Sequence, residues 1–216
     1  MFNFKGFKTL CQATHDDLLE WLYEQLKDVY GEDNIIYHSR WAYFKGKSPV
    51  CLCAHLDTVH KKTIIDMYIE PEKNIIHSPE GIGGDDRCGV WIILKILKSL
   101  KEGDDLPNLF FSADEETGSA STKLACDWII GNNIDLMNHV RFFIQLDRKN
   151  EQDSVYYNCD NKDFEKYINS YGFKTAYGTR TDICILCDKF GKAGVNLSCG
   201  SNGLLLPDSI TLEVAP

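Results

Sequence analysis

The sequence predicts an α/β fold, a mixed, mostly parallel central sheet flanked by helices. Short apolar runs of strand length alternate with stretches of helical periodicity. Histidine and carboxylate residues stand at the ends of those apolar runs, where open α/β sheets build their sites. No repeat, low-complexity tract or Pro/Gly/Ser linker interrupts the 216 residues, so residues 1–216 are expected to form a single domain with a substantial core.

The first strong element is a helix over Thr14–Tyr30, with Thr14 as its cap and Leu18, Leu19, Leu22, Leu26 and Val29 at helical spacing. Strands follow at Ile35–His38 and Trp41–Phe44. Pro49–Ala54 is too short and too apolar for anything but a buried strand, and His55 stands at its end. Ile64–Ile69 and Asn74–His77 predict a hairpin around the Glu70–Lys73 turn. The Gly-rich loop Gly81–Gly84 enters a helix running to Leu100. Leu109–Ala113 predicts a buried strand with Asp114-Glu115-Glu116 at its end, and Ser119 a cap for a helix to Ile130. Val140–Leu146 predicts a third buried strand ending at Asp147. The remainder reads as helix Lys162–Tyr171, a turn at Thr179–Asp182, strand Val195–Ser198 and a last strand at Ile210–Val214.

Composition narrows the function. A net charge of −9 argues against a nucleic-acid partner, which needs basic patches. No apolar run approaches the ~20 residues of a membrane span. Met1–Gly6 shows no signal-peptide pattern. Nine cysteines, an odd number set mostly in apolar stretches, point to a reducing cytoplasm rather than a secreted disulfide framework. Cys51-Leu52-Cys53 and Cys184-Ile185-Leu186-Cys187 are expected to be buried, inert thiols, because no second CxxC accompanies them. His60, His77 and His139 are expected in surface or core roles. Clustered carboxylates can instead hold divalent cations.

His55, Asp85, Glu115/Glu116 and Asp147 arise from separate segments that all lead to one sheet edge. Each has a plainer reading alone: a satisfied strand-end histidine, carboxylates favouring a helix N-terminus, a solvated pair, or a partner for Arg148 or Lys149. Together, a histidine and several carboxylates form a ligand set for zinc, with manganese or cobalt as alternatives.

These residues carry a family resemblance. His55-Leu56-Asp57-Thr58-Val59, Gly83-Gly84-Asp85-Asp86-Arg87-Cys88-Gly89, Asp114-Glu115-Glu116-Thr117-Gly118 and Asp147 resemble, in order, the motifs of the co-catalytic zinc aminopeptidases and carboxypeptidases that include peptidase T. Thr179–Asp182 with Val195–Gly200 resembles the segment leading to the last ligand. The resemblance implies one or two zinc ions. His55 and Asp147 would bind one metal, Asp85 would bridge, and Glu116 would bind the second. Asp57 would fix the His55 tautomer, and Glu115 would be the general base acting on a water. The implied activity is metal-dependent hydrolysis of peptide or amide bonds, as an exopeptidase or, alternatively, a deacylase of acylated amino acids.

Two departures qualify that expectation. Only about thirty residues separate Asp147 from Thr179, leaving no room for the lid or dimerisation domain of many relatives, so a monomer is expected. The register of Pro207-Asp208 places Leu205 where those relatives carry a metal-binding histidine, and no histidine follows His139. A terminus altered, truncated or divergent at this point would leave a metal-binding but impaired or non-catalytic descendant.

Overall fold

The structure, a computed structural model, describes residues 3–60, 64–73, 75–157 and 162–201, and the backbone of 208–211. Its strands are β1 (Ile35–His38), β2 (Trp41–Phe44), β3 (Val50–His55), β4 (Tyr68–Glu70), β5 (Ile75–Ser78), β6 (Asn108–Ser112), β7 (Phe142–Arg148), β8 (Asp153–Val155), β9 (Lys174–Thr175), β10 (Ala193–Ser198) and β11 (Asp208–Thr211). The α-helices are α1 (Phe4–Gln12), α2 (His15–Tyr30), α3 (Gly84–Ser99), α4 (Ala120–Asn133), α5 (Lys162–Asn169) and α6 (Asp182–Phe190).

The eight-stranded main sheet has the order β1-β2-β6-β3-β7-β10-β8-β9. Its centre, β6-β3-β7-β10, is parallel, while β1-β2, β2-β6 and β10-β8 pair antiparallel. Parallel strands need a cover on both faces, and β3 shows how this is met. Leu52 and Ala54 enter the core beneath α2 and α3, while Cys51 and Cys53 enter the opposite core with residues of α4 and α6. Successive side chains point to opposite faces, so a continuous apolar run feeds two cores. A smaller sheet, β11-β5-β4, stands apart.

α2 forms because Leu18, Leu19, Leu22 and Leu26 recur on one buried face and the Thr14 hydroxyl accepts the Asp17 amide at 3.1 Å. Each of these leucines contributes about 1.5–3 kcal/mol of burial. Val29, placed on that face by spacing, is exposed, and Tyr30 takes the position. The sequence reading had no counterpart for α1, α6, β8 or β9. Residues 64–67 are not strand, so the hairpin is shorter than predicted. β7 begins two residues late and continues to Arg148, so Asp147 lies inside a strand rather than after one. Residues 212–214 of the predicted last strand, Asn74 of the predicted hairpin, and Leu205 all lie outside the described residues.

The parallel register positions the site. Cys53 pairs with Gln145 across β3 and β7. Two residues further on, the same faces carry His55 and Asp147. Across β3 and β6, His55 pairs with Ser112, so the loop bearing Glu115 and Glu116 leaves the sheet beside it.

Candidate metal centre

His55, Asp85 and Asp147 each offer one ligand atom, and these atoms lie within 4.8 Å of one another. The His55 Nε2 is 2.9 Å from Asp85 Oδ1 and 3.6 Å from Asp147 Oδ1. His55 is fully buried, so its charge state is set by its neighbours. Burial alone would lower its pKa, but hydrogen bonds with Asp147, Asp57 and Asp85 raise it well above the ordinary value. Burial and the Asp147 charge push Asp85 up to about 7. Burial opposes ionisation of Asp147 too, yet the His55 ring and hydrogen bonds from Asp85 and Thr181 hold it below the usual carboxylate range. The His55 and Asp147 charges thus stabilise each other, and Asp85 is the carboxylate that resists ionisation.

Asp147 is held by one oxygen. Its Oδ2 accepts from Thr181 Oγ1 at 2.7 Å and from Gln145 Nε2 and Asn196 Nδ2 at 3.2 Å each. Its backbone amide donates to Asn196 Oδ1 at 3.0 Å, and Gln145 Oε1 accepts the Ile183 amide at 3.0 Å. The start of α6 therefore anchors Asp147 and leaves Oδ1 on the His55 side. Sequence reasoning assigned no role to Gln145, Asn196 or Thr181. Gln145 and Asn196 did carry a signal: each is a polar residue within an apolar run, and buried amides need partners.

Asp85 follows the Gly-rich turn. Gly83 adopts a left-handed φ of +60°, which suits glycine. Asp85 and Asp86 depart from helical geometry and are joined by a cis peptide. Asp86 is not one of the three grouped residues. Its carboxylate accepts the His55 amide at 3.1 Å and the Gly89 amide at 3.0 Å, tying α3 to the end of β3. Gly89 has no alternative: a Cβ there would lie 2.1 Å from the Leu146 carbonyl oxygen.

Asp57 has two contacts with His55. The ring Nδ1 lies 3.0 Å from the Asp57 backbone carbonyl and 3.3 Å from its carboxylate. That carboxylate also accepts the backbone amides of Glu115 and Glu116, at 3.1 and 3.2 Å. Burial would raise the Asp57 pKa, but His55 and these two N–H groups lower it. One side chain thereby links the histidine to the acidic loop.

The loop is pinned further. Arg40 pairs with Asp114, whose φ is +70°, and the Asp114 carbonyl accepts the Ser119 amide at 2.6 Å. Glu115 is pushed up to about 8, chiefly by burial, with the Asp147, Asp182 and Glu116 carboxylates adding to it against His55. Glu116 stands outside the three-residue group; its Oε1 is buried and, among the described residues, has no hydrogen-bond partner. Asp182, also unassigned from sequence, is buried and accepts the Ser112 hydroxyl at the end of β6.

The remaining polar residues singled out from sequence lie elsewhere. His139 Nε2 is 3.0 Å from Asn108 Oδ1, and His77 pairs with Glu70 at 2.9 Å. The ring of His60 packs against Gly81. The Cys51 and Cys53 thiols lie 4.0 Å apart and are buried with Cys187. Cys184 is half-buried, a departure from the expectation for that pair.

No family model matches the chain, and no curated protein matches it. Solved structures do. A tripeptidase from Staphylococcus aureus subsp. aureus Mu50 superposes with a TM-score of 0.67 at 11% identity, covering 96% of this chain and 92% of that one. An aminopeptidase from the archaeon Desulfurococcus kamchatkensis gives 0.67 at 14% identity, covering 96% and 89%. A glutaminyl cyclase from an Acidobacteriales bacterium gives 0.62 at 10% identity, covering 92% and 78%. The chain therefore has the α/β fold on which these enzymes are built.

Proposed function

We propose that this chain is a metal-dependent hydrolase of peptide or amide bonds, acting as an exopeptidase on short peptides. The observation that carries the reading is the convergence of His55, Asp85 and Asp147 within 4.8 Å, with Glu115 on a half-buried loop that Asp57 ties to His55. Fold alone does not select the reaction, since one similar structure is a cyclase and the others are peptidases.

The residues fit a divalent cation. An imidazole nitrogen and two carboxylate oxygens form a borderline-to-hard donor set suited to zinc, manganese or cobalt. The buried, unpartnered Glu116 Oε1 supplies a further donor. His55, Asp85 and Asp147 would hold a first ion, and Asp85 with Glu116 a second. Cations bound there would polarise the scissile carbonyl and acidify a water.

The chain's own residues supply the rest. Thr181, Gln145 and Asn196 keep Asp147 Oδ1 turned toward His55. Asp57 holds the His55 ring and the amides of the acidic loop. Glu115 takes a proton from the attacking water and returns it to the leaving amine. Its raised pKa suits a group that must both accept and release a proton near neutrality.

A second reading, metal binding with weak or no turnover, has its own support. The second position would draw only on Asp85 and Glu116, and the family resemblance, with Pro207-Asp208 in register, puts Leu205 at the place of a further histidine ligand. The free thiols are consistent with a reducing, cytoplasmic setting under either reading. The test is amine release from a short-peptide library after EDTA treatment and readdition of zinc, manganese or cobalt. Metal-restored hydrolysis supports the first reading. Metal binding without hydrolysis supports the second, and absence of both removes the proposal.

A further inference from the structure

Beside the candidate metal centre lies a cavity of about 520 Å³, within the ~300–1,000 Å³ that ligand pockets span. Tyr157, Tyr177, Gly178 and Arg180 are among the residues lining it. Its wall is tied to the metal centre at two points. The Tyr157 hydroxyl lies 3.3 Å from Asn196 Nδ2, the same nitrogen that donates to Asp147. Thr181, the residue after Arg180, donates its hydroxyl to Asp147 at 2.7 Å. A third tie reaches the acidic loop: Arg180 Nη2 donates to the Gly118 carbonyl at 2.9 Å, three residues after Glu115. The cavity wall is thus linked to the candidate metal centre through Asn196 and Thr181, and to the acidic loop through Gly118.

The wall is closely fitted. A Cβ at Gly178 would come within 2.8 Å of the Tyr157 hydroxyl oxygen and 2.9 Å of Val155 Cγ1, so glycine lets the segment lie against Tyr157. Arg180 meets no carboxylate among the described residues, although the chain carries a net charge of −9. A guanidinium offers five N–H donors in a fixed fork, and the Gly118 carbonyl takes one. The other charged lining residue, Glu165, accepts the Thr175 hydroxyl at 2.6 Å and sets a negative pole that disfavours polyanions.

We infer that this cavity is a substrate subsite in which Arg180 binds a carboxylate of a short peptide, with the tyrosines packing against the residue that carries it. The carboxylate is either the free C-terminus or an acidic side chain; the chemistry at Arg180 is the same. The inference rests on the peptide-hydrolase reading, but its test does not require turnover.

The test is calorimetric binding of three probes in EDTA, where metal-dependent cleavage is absent: trialanine, trialanine amide, and alanyl-glutamyl-alanine amide. The wild-type chain is expected to bind a carboxylate-bearing probe at least about tenfold more tightly than trialanine amide. Preference for trialanine identifies the C-terminus, and preference for the glutamyl amide identifies the side chain. Arg180→Met should abolish that preference. Arg180→Lys, which keeps the charge but not the planar fork, should retain part of it and serves as the folding control. Equal binding of all three probes by the wild type, no binding of any, or an undiminished preference in Arg180→Met would overturn the inference. A preference that behaves as expected in a chain that hydrolyses no peptide would sink only the hydrolase reading.

Discussion

Replacing Asp57 with asparagine separates its two contacts. The carboxylate accepts the amides of Glu115 and Glu116 through different oxygens, at 3.1 and 3.2 Å. Asparagine keeps one acceptor and turns an NH₂ group toward the other amide. One hydrogen bond to a charged group is lost, about 1.5–3 kcal/mol, and two donors are left facing each other. His55 loses less, because the Asp57 backbone carbonyl still lies 3.0 Å from Nδ1. Zinc affinity should therefore fall about tenfold, the low end of the range for groups that support a metal ligand. The melting temperature of the metal-free protein should fall as well. Competition against a chromophoric chelator measures the first effect, and thermal unfolding in EDTA measures the second. Unchanged affinity together with unchanged melting would refute the view that Asp57 secures the acidic loop.

Glu115→Gln should reduce peptide turnover by ~10²–10⁴-fold while leaving zinc affinity largely intact, as expected of a general base; Glu116→Gln should instead weaken binding of a second ion. Equal loss of metal in both variants, measured by equilibrium dialysis, would reverse the assignment. Metal binding should also release protons. Asp85 is held at about 7 and His55 above its ordinary value in the metal-free site, so both carry protons that a cation displaces. Apparent zinc affinity should then fall by about tenfold or more per pH unit as pH drops below about 7. Calorimetry in buffers of different ionisation enthalpy reads that release directly, and zinc binding without proton uptake by the buffer would contradict it.

Much of this arrangement was legible in the sequence because its signal is local. A histidine or aspartate closing an apolar run marks a strand end or its last turn, and parallel strands put such ends together. His55 and Asp147 were singled out in that way, and Asp85 from its place in a Gly-rich turn that enters a helix. The supports of Asp147 were harder to see, since they depend on which strands are neighbours. Gln145 and Asn196 meet only because β7 and β10 pair, with Gln145 opposite Asn196. The helix α6 was missed for a different reason. Its apolar face, Ile183, Leu186 and Cys187, overlaps a CxxC that drew attention to thiol chemistry, although Thr181 precedes it as an N-cap. The strand pair β8–β9 lies at the sheet edge, is only two to three residues per strand and is largely polar, so periodicity has little to register.

The central claim is that three side chains from separate segments form a cation site. Zinc bound at equilibrium by the EDTA-stripped chain, dialysed alongside Asp147→Ala, tests it most directly. The account predicts one tightly bound ion per wild-type chain, filling the position of His55, Asp85 and Asp147, and loss of that ion in the variant. No tight zinc in the wild type, or equal zinc in the two proteins, would contradict it.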